Sequence, residues 1–108
     1  MSSPLALAQG DKLEDICYQS MRYNVSVQLA ANSLSGQVRS HYEGEAFESG
    51  KWQGISHEET ERMIRMAENN QSSMQFSIRY QGDDSFANAY RNGYINDCKQ
   101  NPDKYISN

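Results

Sequence analysis

No apolar run in this chain approaches the roughly 18 residues that a membrane-spanning helix requires. Basic residues are equally thin. The ten lysines and arginines are scattered and the net charge is −4. No cationic stripe therefore exists to neutralise phosphates, and a nucleic-acid partner is excluded. Apolar residues make up only 37% of the chain, against a usual ~45–50%, and the mean hydropathy is −0.86. The core must be small. Catalytic signatures are missing too: no G-x-S-x-G elbow, no glycine-rich phosphate loop after a strand, and no second histidine completing a zinc-protease motif after His57.

Two cysteines, Cys17 and Cys98, stand near opposite ends of the 108 residues. Residues 2–8 resemble the tail of a secretory signal peptide, with Ala6 and Ala8 framing an A-x-A site before Gln9. The basic region and apolar stretch that precede such a site are absent, so Met1 is expected to fall inside the signal. The expectation is a leader over 1–8 and one helical domain over 9–108, either periplasmic or secreted. In an oxidising compartment an even cysteine count predicts a disulfide. A Cys17–Cys98 bond closes a loop of about 80 residues, which the chain-entropy account values at roughly 4.5 kcal/mol. That is comparable to the whole stability of a marginal domain.

Hydrophobic spacing predicts helices. Asp11 and Glu14 are spaced as a capping box, and Leu13, Ile16, Cys17, Ser20, Asn24, Val27, Ala31 and Leu34 recur every three or four residues until Gly36 offers a stop. Residues 37–55 carry Gly44, Gly50 and Gly54. They suggest a short helix through Val38, Tyr42, Ala46 and Phe47, then a loop over 48–54. Ser56 and Glu59 form an S-x-x-E box, with Glu58 and Glu61 near the same end, and one helix is expected over 57–81 with Gly82 as its stop. Asp84 or Ser85 then caps a last helix bearing Ala87, Tyr90, Tyr94 and Cys98 on one face. Gly93 allows close helix approach there, and Asn101-Pro102 ends the helix. The predicted fold is a small all-α bundle of three or four helices stapled by the disulfide. The alternative is α+β, because Val25, Val27 and Leu29 alternate as a strand does, and so do Met74, Phe76, Ile78 and Tyr80.

Few residues point to chemistry. His41 with Glu45, and His57 with Glu61, are four apart and so adjacent on a helix, the spacing of a paired metal ligand. The solvated first turn of a helix accounts for them better than a metal does. The carboxylate pairs Glu14–Asp15, Glu58–Glu59 and Asp83–Asp84 sit where helix N-termini favour negative charge. No cofactor or metal site is predicted. Asn24-Val25-Ser26 and Asn70-Gln71-Ser72 match the N-glycosylation pattern, which matters only in a eukaryotic source.

Aromatics are more suggestive. Seven tyrosines and one tryptophan occur in a polar chain, several beside arginine, and these residue types dominate interface hot spots. Tyr18, Tyr90 and Tyr94 are expected in the core, with Met63, Met66 and Met74. Trp52, Tyr42 and Tyr80 are the candidate contact residues, and the acidic run Glu43, Glu45 and Glu48 is expected to steer a basic partner. The sequence thus points to an exported, non-enzymatic protein-binding module, such as a bacterial periplasmic inhibitor or toxin-immunity protein. The competing readings are a small exported enzyme or metal carrier using the histidine–glutamate pairs, and a subunit acting as a homo-oligomer.

Overall fold

The computed structural model describes residues 11–106. The leader over 1–8 and the side-chain cap at Asp11 lie outside the described residues. Six helices occur among the described residues: α1 Asp11–Ala31, α2 Gly36–Trp52, α3 His57–Glu68, α4 Gln71–Gly82, α5 Asp84–Gln100 and α6 Pro102–Tyr105. The all-α bundle predicted from spacing is the observed fold. Residues 25–29 and 74–80 are both helical, so the strand alternative is overturned. Their alternation arises because α1 is buried on several sides and α4 pairs one aromatic face with exposed Met74 and Ile78.

The boundaries differ from the spacing pattern, and capping explains where. α1 stops at Ala31, before Gly36, because Asn32 and Ser33 turn their side chains back onto the carbonyls of Gln28 and Leu29. Ser35 then accepts from the Val38 N–H, and Gly36 opens α2 instead of closing α1. The expected loop over 48–54 is largely the last turns of α2, which ends at Trp52 with Gln53 as its cap; only Gly54, at φ 75°, needs the left-handed conformation glycine tolerates. The single helix expected over 57–81 is two. Ser56 caps α3 as predicted, and Asn70, accepting from the Ser73 N–H, caps a separate α4. Asp83 caps α5, one residue before the expected Asp84 or Ser85.

α1 is the central helix and packs against the other five. Three small apolar clusters surround it. Val27, Ala30 and Ala31 meet Ala46 of α2 and Ile64 of α3; Met21, Val25 and Leu29 meet aromatics of α4 and α5; Leu13 and Cys17 meet Cys98. Cys17 and Cys98, both fully buried, are joined in the predicted disulfide, tying α1 to α5.

A chain this polar fills its helix contacts with small hydroxyls. Ser20, Ser26, Ser49, Thr60, Ser73 and Ser77 are all buried. Ser20 shares a hydrogen bond with the Tyr94 hydroxyl at 2.8 Å, Ser77 donates to the Gln28 carbonyl, and Tyr23 donates to Thr60. Among the described residues no buried side-chain polar atom lacks a partner. Such satisfied groups let helices approach without a large apolar core. Tyr90 and Tyr94 pack as expected, with Tyr90 donating to Asn24 Oδ1 at 2.6 Å. Tyr18 does not, being 47% exposed, and Met66 and Met74 are also exposed. Close approach falls at Gly50 instead of Gly93: a Cβ on Gly50 would lie 2.9 Å from the Tyr23 ring, whereas Gly93 has open space.

Candidate functional site

α2 packs on α1 and α3 and has no extensive contact with α4 or α5. The separation leaves an open groove whose floor is one face of α1. Met21, Val25 and Leu29, each four residues apart, form that floor. His41, Tyr42 and Glu45 of α2 make one wall, with Tyr80 of α4 and Arg91 of α5 on the other, around a cavity of about 420 Å³. Tyr42, Tyr80 and Arg91 also border a second cavity of about 610 Å³ that carries the groove toward the start of α5.

Of the residues singled out in sequence, Tyr42, Tyr80 and Glu45 come together here. Trp52 does not. It is the last residue of α2, 73% exposed, beside Ile16 and Gln19 at a separate depression of about 230 Å³. Glu43 and Glu48 do not line the groove. Each glutamate of the acidic run already has an arginine: Glu43 meets Arg39 at 3.3 Å, while Glu45 and Glu48 meet Arg22 at 2.5 and 3.0 Å. The Glu45 hydrogen bond leads in raising the Arg22 pKa above its usual value, against the opposing effect of burial.

Sequence reasoning missed Tyr18, Arg22, His41 and Arg91 as groove residues. Tyr18, Met21, Arg22, Val25 and Leu29 follow helical spacing, but the stripe read from the sequence was the neighbouring face through Cys17, Ser20, Asn24, Val27 and Ala31. Also hidden is that α2 and α4 part above the face of Met21, Val25 and Leu29. Arg91 donates through Nη1 to the Tyr80 hydroxyl at 2.8 Å and through Nη2 to Asn88. The groove therefore combines an apolar floor, three tyrosine rings and fixed cationic groups, an arrangement suited to binding.

The histidine–glutamate pairs form as spaced, each at 3.8 Å, but on different helices, and His57 stacks on Phe47. Among the described residues no three histidine, cysteine or carboxylate side chains gather as a metal site would need. Asn24 is tied to Tyr90 and Gln28, whereas Asn70 is exposed at the α3–α4 turn. Among the described residues no helix is long and apolar enough to cross a membrane. The chain matches no protein-family model, no curated protein and no solved structure.

Proposed function

We propose that this chain is an exported, non-enzymatic protein-binding module that uses the α1 groove as its contact surface, in the manner of a periplasmic inhibitor or toxin-immunity protein. The observation that carries the reading is the convergence of Tyr18, Tyr42 and Tyr80 with Arg91 around an open groove above the buried Met21, Val25 and Leu29 of α1. Aromatic rings beside arginines give large contact area at small entropic cost. A buried disulfide supports export, since such bonds persist in oxidising compartments. The net charge of −4 favours a basic partner only at long range, because the local glutamates are already paired.

Site-specific photocross-linking in the native compartment tests the reading. A photoreactive residue replacing Tyr18 should yield a discrete adduct with another protein, and one replacing Lys99 should not. No adduct from position 18, or the same adducts from both positions, would overturn it.

A further inference from the structure

Charge is unevenly answered along the groove. Arg22 is held by Glu45 and Glu48, and His41 lies 3.8 Å from Glu45. Arg91 has no carboxylate partner among the described residues. Its two hydrogen bonds run to neutral acceptors, the Tyr80 hydroxyl and Asn88 Oδ1. A guanidinium carries five N–H donors, so three of them find no acceptor in the described protein. Asp84 borders the same stretch of groove without pairing to Arg91. Tyr80 and Asn88 nonetheless fix the fork, whose centre lies 5.7 Å from the Tyr80 ring centroid. A cation held in place beside the accessible rings of Tyr42 and Tyr80 is complementary to a carboxylate on an apolar segment, and the planar fork favours two-pronged recognition.

We propose that the groove receives a short amphipathic segment of a partner protein, with apolar side chains against the rings of Tyr18, Tyr42 and Tyr80 and an Asp or Glu carboxylate paired to Arg91. The proposal rests on the groove being a protein contact surface and adds the chemistry of what enters it. Two features favour a protein segment. From Tyr18 to Leu29 the floor runs roughly 16 Å at about 1.5 Å per residue, about three helical turns. The groove is also open and continues past Arg91, whereas small-molecule sites enclose most of their ligand.

Selection of random peptides of about twelve residues on the full disulfide-bonded chain tests this directly. Enriched peptides should carry an acidic residue among apolar ones and should shift the amide resonances of Tyr18, Val25 and Arg91. Replacing the peptide's acidic residue by its amide should weaken binding roughly tenfold, since the hydrogen bond then loses its charge. Arg91→Gln should cost about the same, Arg91→Lys less, and the peptide and protein changes together little more than either alone. The peptide-side change leaves the protein untouched, so a folding defect in Arg91→Gln cannot imitate the result. Groove-bound peptides that are basic, or indifferent to both changes, would overturn the carboxylate proposal while leaving the contact surface standing. Failure to enrich any groove-binding peptide would overturn both.

Discussion

At Gly50 the α2 backbone comes so near α1 and α3 that a methyl group would meet the Tyr23 ring at 2.9 Å and Thr60 Oγ1 at 3.1 Å. Gly50→Ala should therefore destabilise the fold by about 1–3 kcal/mol, despite alanine's better helix propensity, and lower the melting temperature. An unchanged or raised melting temperature would mean the interface gives way freely. Trp52 is the opposite case. Because it is so exposed, Trp52→Ala should leave the melting temperature nearly unchanged; a large drop would mean the ring supports the core through Ile16. Tyr90 supplies a pH prediction. Burial, reinforced by Tyr94, Tyr105 and Tyr80, pushes its pKa up to about 12, whereas an unfolded tyrosine ionises near ~10. The folded chain holds this proton more tightly, so its contribution to stability is complete below about pH 10 and is lost as pH rises through about 12. Phenolate absorbance should show Tyr90 ionising only as the chain unfolds. A Tyr90→Phe variant with identical alkaline unfolding and identical titration would refute that assignment.

Helix boundaries here are decided by single polar side chains. Ser56, Asn70 and Asp83 each accept from an N–H three residues on, and each replaced by alanine should lose about 1 kcal/mol. Denaturant midpoints of the three variants measure this, and a neutral Asn70→Ala would mean the α3–α4 break needs no cap. Helical character was legible over most of the chain, because apolar residues at three- and four-residue spacing mark it whatever the exact ends; 48–54 read as a loop, and 25–29 and 74–80 also alternate as strands do. The Ser56 and Glu59 pattern located α3 correctly. The ends at Ala31 and Glu68 were hidden because serine and asparagine are common inside helices and at their caps alike. Gly44 and Gly50 suggested interruption where α2 runs on, since packing against α1 and α3 overrides local propensity. The groove was hidden: the stripe read on α1 ran through Cys17, Ser20, Asn24, Val27 and Ala31, and the opening above Met21, Val25 and Leu29 depends on how α2 and α4 diverge. No spacing rule encodes that divergence.

At the scale of the molecule, one long helix surrounded by five others among the described residues replaces the layered core of a more apolar protein. Apolar burial is divided among three clusters, and hydroxyl bonds such as Ser20 with Tyr94 and Tyr23 with Thr60 link helices far apart in sequence. Stability should accordingly lean on the covalent tie. Replacing both cysteines by alanine should cost roughly 2–4.5 kcal/mol, read as a lower denaturant midpoint; a loss below about 1 kcal/mol would show that the helices hold without it. The double replacement is the informative variant, because a single one leaves a reactive thiol behind.

The Cys17–Cys98 bond spans a sequence separation of 81 and closes residues 17–98 into a covalent ring. A ring opened once is still a single piece. A protease that nicks the turn at Gly54, or the one between α1 and α2, leaves two fragments covalently joined through α1 and α5. Neighbouring helices can then keep the broken ends in register. Where proteases are abundant, one cleavage would scar the molecule without dismantling it. Only a second cut within the ring would release a fragment, and reduction would be the event that parts the halves.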